Sequence, residues 1–520
     1  MPDPNKNIPS KPNLGDYRSI RSLLRTHTQN HPDKPFLEFV EDGRVLTYQE
    51  MSIIAEQFAR WAHTQNLKAN DRILVLSENS IENLALFFAF LSYGVTYCAI
   101  NVEVNESHIS EMIKRLNPSL ILYDSAKPFE MFSPQSVKKW IPIDEFFSTL
   151  KGYEEGPLPD EVCLPENTAV ITFTSGTSEA PKGVIHTFGN YYWIAQQTIN
   201  MWKLTGSDKI LEYRSISWAS AHMLTLIPTI VTGGTILFAK RFSQTHFSDW
   251  IASHRPTMII GVPTVINILL SGEHRSLGEV FSGVRFISCS TAPLMVKQHK
   301  QFEKLYGIEL VQIYGMSEGG VVAGNHAGER RIGSVGRPGL YQNLKIIGLD
   351  GKKMKPGQIG EIEIGGAQTG YGYLHADHTI EIIQNKRLKT GDLGYLDEEG
   401  FLYITGREKD LIIRGGVNIA PLEIDNIICQ HPAVRETASI GVPDPVYGEG
   451  IVCYIVPKPQ QSITKKSLHN FCDQHLTMIK RPTDFVIIEK IPLNDRGKVD
   501  RNALRSRWSS LNNKVKRKVP

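Results

Sequence analysis

Short apolar runs alternate with amphipathic stretches along the chain as far as about residue 360. Strands that are buried on both faces of a parallel sheet are apolar throughout, whereas the helices that connect them keep one polar face. The alternation therefore predicts an α/β protein with largely parallel, buried strands. The predicted strands are 72–76, 95–100, 120–123, 169–173, 235–239, 258–260, 284–288 and 309–313, and the predicted helices include 82–92 and 112–116.

The pattern changes near residue 360. Residues 360–366 alternate polar and apolar positions, as a half-exposed strand does. Glu399 and Gly400 precede the apolar run 402–404, and this arrangement is typical of a hairpin. We therefore expect a small antiparallel β subdomain in this part of the chain.

A new set of elements begins after Gly406 and Arg407, and it predicts a compact α+β domain. We place the boundary so that residues 1–406 form an N-terminal domain and residues 407–520 a C-terminal one. The tail from 501 to 520 is rich in Lys and Arg and contains no acidic residue, so we expect a solvated, frayed terminus. The apolar runs of the C-terminal domain are 410–414, 419–429, 436–442, 451–456, 468–476 and 485–489.

Composition bounds the class of protein. A chain of 520 residues is too long for one core, so two or more domains are expected. It carries 57 basic and 54 acidic residues, and this near balance gives no reason to expect a nucleic-acid partner. Residues 1–16 lack the apolar segment of a signal peptide, and the apolar run 84–91 is too short to span a membrane. The six cysteines are dispersed, which fits a reducing compartment, and we expect the cytosol.

The stretch that follows the strand 169–173 carries the clearest chemistry. Its glycines expose backbone N–H groups, its hydroxyls are small, and its lysine adds a positive charge, so it can hold a polyphosphate. It is not the P-loop of the NTPases, because Gly183 rather than Ser or Thr follows Lys182. The stretch predicts an ATP site on another scaffold. It reads Thr174-Ser175-Gly176-Thr177-Ser178-Glu179-Ala180-Pro181-Lys182-Gly183.

Together with the motifs that follow it, this loop resembles that of the adenylate-forming superfamily. That superfamily includes acyl-CoA synthetases, firefly-luciferase-like enzymes and the adenylation domains of peptide synthetases. Each motif alone is weak, but they occur in the family's order over nearly the whole chain. The motifs are Gly261-Val262-Pro263-Thr264, Thr291-Ala292-Pro293-Leu294, Tyr314-Gly315-Met316-Ser317-Glu318, Gly333-Ser334-Val335-Gly336-Arg337-Pro338, Thr390-Gly391-Asp392-Leu393-Gly394, Gly406-Arg407-Glu408-Lys409-Asp410, Gly415-Gly416-Val417-Asn418-Ile419 and Pro492-Leu493-Asn494-Asp495-Arg496-Gly497-Lys498.

The resemblance implies an AMP-forming reaction in which a carboxylate attacks the α-phosphate of ATP. Both reactants are anions, so the site must neutralise and align them. By resemblance, Lys498 is the catalytic lysine at the α-phosphate. Glu318 would hold Mg²⁺, with Thr174 as a second ligand, because this cation prefers oxygen donors. The implied ATP and AMP ligands are Thr174, Ser175, Gly176, Thr177, Ser178 and Lys182 at the phosphates, Thr291, Ala292, Pro293, Tyr314, Gly315, Met316 and Ser317 near adenine, and Asp392 with Arg407 at the ribose.

The resemblance also implies that the small C-terminal domain is mobile. Lys409 lies at the family's hinge, where the domain swings between the adenylation and the thioester-forming pose. Arg414, Gly415 and Gly416 lie where the second pose would present a channel to the pantetheine of coenzyme A.

The acid is less well defined by the sequence. The segment 213–223 matches the acyl-binding region and contains no carboxylate that could pair with a substrate ammonium. A buried ammonium without a counter-charge is costly, so we expect a fatty or aryl acid rather than an amino acid. Trp218, His222 and Gly261 are candidates for the acyl pocket. For Trp218 and His222 the alternative is an ordinary place in the core.

Coenzyme A is the expected acceptor, because no pantetheine-attachment sequence of the form Gly-x-Asp-Ser follows the lysine motif. Two alternatives stay open. The chain is either a stand-alone enzyme that loads an acyl carrier protein, or a binding protein that keeps the fold without catalysis. Glu179 favours the second alternative, because the family's loop has glycine there and a carboxylate that faced the phosphates would repel them.

Overall fold

A computed structural model describes residues 16–102, 104, 106–126, 139–173, 182–271, 277–494 and 498–516. Within these residues, no helix is both long enough and apolar enough to cross a membrane.

The strands of the first two thirds of the chain are short and mostly buried, as expected for strands covered on both faces. They are β1 (Pro35–Phe39), β2 (Val45–Thr47), β3 (Arg72–Leu76), β4 (Thr96–Ala99), β5 (Leu120–Tyr123), β6 (Trp140–Pro142), β7 (Thr168–Phe173), β8 (Gly183–Thr187), β9 (Lys209–Glu212), β10 (Thr235–Phe238), β11 (Met258–Gly261), β12 (Phe286–Cys289), β13 (Leu310–Met316), β14 (Gly320–Gly324) and β15 (Arg337–Pro338).

Helices connect these strands, as the alternating pattern predicts. They are α1 (Ile20–Asn30), α2 (Tyr48–Thr64), α3 (Ile81–Tyr93), α4 (Glu106–Leu116), α5 (Ile143–Leu150), α6 (Phe188–Trp202), α7 (Ala219–Ala221), α8 (Ile227–Thr232), α9 (Phe247–His254), α10 (Pro263–Ser271), α11 (Leu277–Val280) and α12 (Val296–Tyr306), and a π-helical turn at His222–Leu226 joins α7 to α8.

The remaining strands include three of nine residues or more, and several of them form hairpins. They are β16 (Lys345–Ile347), β17 (Gly360–Ile364), β18 (Gly372–Leu374), β19 (Ile380–Ile382), β20 (Leu388–Leu396), β21 (Leu402–Arg407), β22 (Ile412–Arg414), β23 (Val417–Ile419), β24 (Val434–Asp444), β25 (Gly448–Pro457) and β26 (Asp484–Ile487), with helices α13 (Pro421–Ile428), α14 (Lys465–His475) and α15 (Arg501–Lys516).

Two large sheets form the N-terminal part. The first has the order β15-β14-β13-β12-β11-β9-β10-β1-β2, and the second has the order β19-β18-β8-β7-β4-β3-β5-β6. The central strands of both sheets pair in parallel. The pairing is antiparallel at both ends of the first sheet, and in the second sheet it is antiparallel between β7 and β8, β8 and β18, and β18 and β19. Helix α3 is apolar over most of its surface, and every residue of it except Glu82 is buried, so it lies in the main core. The predicted α/β class is therefore confirmed.

The expected antiparallel subdomain is the sheet β16-β17-β20-β21. Strand β17 alternates buried and half-buried positions, as its sequence indicates. Strands β20 and β21 form the hairpin around Glu399 and Gly400, and Gly400 has a φ of 83°, which glycine adopts readily. The C-terminal part forms a separate sheet, β23-β22-β25-β24 with β26 beside β25, and helices α13, α14 and α15 complete an α+β unit.

The expectation of a frayed tail is wrong for most of its length. Residues 501–516 form α15, whose Leu504 is fully buried in a cluster with the half-buried Trp508. The hydroxyl of Tyr454 donates to the carbonyl of Leu504 at 2.9 Å, and the Arg501 guanidinium donates to buried Asp425 at 3.1 Å. Two apolar residues at helical spacing outweigh the basic charge of the segment. Residues 517–520 lie outside the described part.

Replacing Arg501 by Met should destabilise the C-terminal unit by about 3 kcal/mol, because Asp425 would stay buried without its counter-charge. Burial raises the pKa of Asp425 to about 6. At a pH below about 6 the folded protein keeps a proton on Asp425 that the unfolded chain, with its lower pKa, releases more readily. The stability that this proton contributes is therefore lost as the pH rises through about 6. Thermal unfolding should show a larger fall in Tm for the variant at about pH 7.5 than at about pH 5.

The matched control is Arg507→Met, at an exposed position on the same helix. An equal fall in Tm for both variants would mean that the Asp425 pair contributes nothing specific.

Candidate active site

The carboxyl ends of β9, β11, β12 and β13 meet at one edge of the first sheet, which is where ligands bind in open α/β sheets. Gly261 ends β11, opposite Cys289 at the end of β12. A Cβ atom on Gly261 would lie 2.3 Å from the carbonyl oxygen of Ser288, so packing between strands already requires this glycine. Its place in the acyl pocket stays a prediction.

Asp392 is the centre of a cluster that joins three parts of the chain. Its carboxylate accepts a hydrogen bond from the hydroxyl of Tyr314 at 2.6 Å and one from Nε of Arg407 at 2.9 Å. Asp392 and Arg407 face each other across the pairing of β20 with β21, and Tyr314 comes from β13. Burial and the charge of Asp392 raise the pKa of Tyr314 well above its usual value, so its hydroxyl keeps its proton. The structure thus brings together three residues that the resemblance places around the nucleoside.

The predicted adenine segment begins with backbone strain. Thr291 has a φ of 76°, which is unusual for a β-branched residue and costs about 1–3 kcal/mol. It lies two residues after the end of β12, at the same edge of the sheet as Tyr314. Ala292 is half-buried and Pro293 is exposed, so both are accessible to a ligand. Strain of this kind is found at binding sites, where the surroundings hold the backbone in place.

Glu318 lies four residues after Tyr314, beyond the end of β13. Its carboxylate accepts a hydrogen bond from the hydroxyl of Tyr373 at 3.3 Å. The ammonium of Lys182 lies 5.6 Å from the centre of the same tyrosine ring. The lysine of the phosphate loop and the predicted metal ligand therefore share one aromatic neighbour, which the sequence analysis did not identify.

The backbone around Glu318 is fixed from two sides. Fully buried His186 donates from Nε2 to the carbonyl of Ser317 at 2.6 Å, and the N–H of Gly370 donates to the carbonyl of Glu318 at 2.7 Å. Burial lowers the pKa of His186 to about 4, so its ring is neutral near pH 7. A Cβ atom on Gly370 would lie 3.3 Å from the His186 ring, so the glycine allows this close packing. The contact between His186 and Ser317 spans 131 residues, and no local pattern indicates it.

The predicted acyl segment contains a firmly held histidine. His222 is fully buried, its Nδ1 accepts from the hydroxyl of Tyr191 at 2.9 Å, and its Nε2 donates to the carbonyl of Ile216 at 2.6 Å. Burial lowers its pKa to about 3. These contacts favour the structural alternative for His222. Trp218 is half-buried at the start of α7, and its role stays a prediction.

A carboxylate does precede this segment, but it is already paired. Glu212 is fully buried and accepts from Nε and Nη2 of Arg214 at 2.9 and 2.6 Å. The hydroxyl of Thr225 donates to the same carboxylate at 2.8 Å. A substrate ammonium would have to displace these donors before it could pair with Glu212. The structure therefore adds a second argument against an amino-acid substrate to the one from the sequence.

The predicted hinge lies between two anchored residues. Arg407 is tied to Asp392, whereas Asp410 lies 4.0 Å from Arg501 of the C-terminal unit. Lys409 is exposed between them, in a single turn of 3-10 helix at Glu408–Asp410. A rotation at this residue would leave both anchors intact.

The backbone of the predicted catalytic lysine is hydrogen-bonded to Asn494. The backbone N–H of Lys498 donates to the side chain of Asn494 at 3.0 Å, and the N–H of Asn494 donates to the carbonyl of Lys498 at 2.8 Å. Residues 495–497 lie outside the described part. The position of the ammonium at the α-phosphate stays a prediction.

The residues predicted for the CoA channel have clear structural roles. Arg414 is buried and donates to the carbonyls of Ile479 and Arg481 at 3.2 and 2.6 Å. Gly415 and Gly416 have φ values of 56° and 78° and form the two-residue turn between β22 and β23. Positive φ at both positions is what such a turn needs. A channel role for these residues stays a prediction.

Much of the phosphate loop lies outside the described residues. This applies to Thr174, Ser175, Gly176, Thr177 and Ser178, and also to the discordant Glu179. Lys182, at the end of the loop, is described and directly precedes β8.

Comparisons with known proteins agree with this arrangement. The model of the AMP-binding enzyme family matches residues 24–374, and that of the AMP-binding enzyme C-terminal domain matches residues 423–498. A sulfoacetate–CoA ligase from Cupriavidus necator is 31% identical over 499 residues, which are 93% of this chain and 97% of that protein.

Solved structures show the same fold. The crystal structure of ATP-bound MatB from Rhodopseudomonas palustris superposes with a TM-score of 0.87 at 25% identity and covers 95% of this chain and 100% of that chain. The apo form of that protein gives a TM-score of 0.80. The o-succinylbenzoate CoA synthetase MenE from Bacillus subtilis, in complex with its acyl-adenylate, gives 0.81 at 28% identity and covers 93% of this chain and 97% of that chain.

The family models follow the order of the sequence motifs, and the ligase relative aligns over nearly the full length of both proteins. The chain therefore belongs to the AMP-binding enzyme family of the adenylate-forming superfamily, and it is an AMP-forming acid–CoA ligase.

Proposed function

We propose that Asp392, Arg407, Lys182, Glu318 and Lys498 carry the adenylation step of this ligase. The observation that supports this most directly is the Asp392 cluster, whose Tyr314 lies four residues before Glu318 on the same segment. Asp392 would accept hydrogen bonds from the ribose hydroxyls, with Arg407 holding its carboxylate in place. Lys182 would neutralise the outgoing pyrophosphate, and Lys498 would neutralise the α-phosphate and the attacking carboxylate.

The reaction then proceeds in two steps. A carboxylate oxygen of the acid bonds to the α-phosphorus, and the bond from that phosphorus to the oxygen that bridges it to the β-phosphate breaks, which releases pyrophosphate. In the second step the sulfur of CoA bonds to the acyl carbon, the bond from that carbon to the AMP oxygen breaks, and the thiol gives up its proton. In both steps anions meet, so the protein acts mainly by alignment and charge neutralisation.

Mg²⁺ fits the residues around Glu318. Among the described residues, no group of three or more His, Cys, Asp or Glu could form a metal cage. A magnesium ion that accompanies a nucleotide needs only one or two carboxylates, since phosphates and water supply its other oxygens. Glu318 would hold it, with Thr174 as the predicted second ligand, and the ion would supply further charge neutralisation when bound.

We propose that residues 407–520 form a mobile C-terminal domain that moves relative to the adenylation domain of residues 1–406, with Lys409 as the hinge. The described pose is closer to ATP-bound MatB, at a TM-score of 0.87, than to the apo form, at 0.80, which supports an adenylation pose. The buried, unpaired cysteines agree with the cytosol as the predicted compartment.

For the acid, we propose a carboxylate without a free ammonium, because Glu212 is committed to Arg214. Purified protein should convert members of a panel of fatty, aryl, sulfonated and dicarboxylic acids to CoA thioesters, read by mass spectrometry, and should leave amino acids unchanged. The panel would include sulfoacetate and o-succinylbenzoate, which are the acids in the names of the relatives. Turnover of an α-amino acid as the preferred substrate would contradict the proposal, as would acyl transfer to a holo-carrier protein but not to CoA.

Lys498→Ala should reduce acid-dependent exchange of pyrophosphate with ATP by about a hundredfold or more, because the α-phosphate loses its positive partner. The matched control is Lys490→Ala, which removes an exposed lysine of the same region and should leave exchange unchanged. Exchange at the wild-type rate in Lys498→Ala would refute the assignment of this lysine.

Lys409→Pro should spare pyrophosphate exchange and impair thioester formation. Proline has a φ near −65°, which suits the 3-10 turn of the described pose but resists a large backbone rotation. Lys409→Ala removes the charge and keeps the rotation, so it should retain both half-reactions. Equal losses of both half-reactions in Lys409→Pro would show that Lys409 is not the hinge.

A further inference from the structure

Tyr373 lies next to the phosphate loop through the second sheet. It is the central residue of β18, and it pairs with Val184 of β8, two residues after Lys182. Leu374 pairs with Gly183 in the same ladder. Backbone pairing therefore holds Tyr373 beside Lys182, the described end of the loop.

The two ends of this side chain meet opposite charges. The ring lies beneath the ammonium of Lys182 at 5.6 Å, within the range of a cation–π contact. The hydroxyl donates to the carboxylate of Glu318 at 3.3 Å. One aromatic side chain therefore contacts both the lysine of the phosphate loop and the predicted metal ligand.

The backbone at Glu318 is positioned by residues other than Tyr373. His186 and Gly370 already fix the carbonyls of Ser317 and Glu318. The contacts of Tyr373 bear instead on the direction of the Glu318 carboxylate and on its place relative to Lys182.

We propose that Tyr373 is a positioning residue that sets the Glu318 carboxylate and the Lys182 ammonium relative to each other before nucleotide binds. The inference rests on the proposed roles of these two residues in holding Mg²⁺ and pyrophosphate. Tyr373 acts through both of them and takes no part in the chemistry itself.

Two substitutions separate the two contacts. Tyr373→Phe keeps the ring beneath Lys182 and loses the hydroxyl, whereas Tyr373→Leu loses both. Binding of ATP to the full-length protein should be measured by isothermal titration calorimetry, with Mg²⁺ and with EDTA. Tyr373→Phe should weaken binding by roughly three- to tenfold with Mg²⁺ and leave binding in EDTA unchanged, because only the metal ligand is affected. Tyr373→Leu should weaken binding in both conditions.

The matched control is Tyr371→Phe, two residues earlier, whose side chain packs against the core of the second sheet. It should bind ATP like the wild type in both conditions. Equal effects of Tyr373→Phe with Mg²⁺ and with EDTA, or none, would overturn the inference.

The variant Glu318→Gln distinguishes a failure of this inference from a failure of the proposed function. If Glu318→Gln weakens binding with Mg²⁺ and Tyr373→Phe does not, the inference about Tyr373 fails and the role of Glu318 stands. If Glu318→Gln binds MgATP like the wild type, the role of Glu318 fails and the inference fails with it. In the Glu318→Gln background, Tyr373→Phe should have no further effect on binding with Mg²⁺, and an additive loss would contradict coupling through the carboxylate.

Discussion

The carboxylate of Asp392 is the interaction on which the arrangement of the site depends. It accepts from Tyr314 of the first sheet and from Arg407 at the start of the linker, while Asp392 itself belongs to the antiparallel subdomain. The first sheet and the antiparallel subdomain thus meet at one buried anion. A buried carboxylate is costly unless donors surround it, so the two parts of the fold are held in one arrangement at this point. The same contacts fix Arg407, two residues before the predicted hinge at Lys409.

Two buried carboxylates, Glu212 and Asp425, each have an arginine partner. Glu212 with Arg214 and Asp425 with Arg501 are paired within one structural unit, and such pairs hold the surrounding segments in a single arrangement. Glu318 is half-buried and Lys182 is exposed, and both contact Tyr373. A ligand can therefore reach these two charges, whereas the buried pairs are closed to it.

The sequence predicts the fold well wherever a local pattern decides the structure. The apolar runs predict the central strands, the largely apolar helix α3 and the antiparallel hairpin of β20 and β21 within a few residues. It fails at α15, where the basic charge hides the apolar pair of Leu504 and Trp508. It also cannot show contacts between distant residues. Tyr373 and Glu318 are 55 residues apart, and only the family motifs bring Tyr314 and Asp392 together in advance, across 78 residues.

The interface between the two parts of the chain has the chemistry that a moving domain needs. Lys297 of α12 donates to the carbonyls of Cys429 and His431, just beyond α13, at 2.8 and 3.2 Å, and Met295 packs against the core of the C-terminal unit. Water can replace a lysine on a carbonyl at little net cost, and methionine adapts to changing neighbours because its side chain is unbranched. The tightly paired charges lie within each unit, whereas these replaceable contacts lie between them. A rotation at Lys409 would therefore break contacts that are inexpensive to remake and would leave the Asp392 cluster whole.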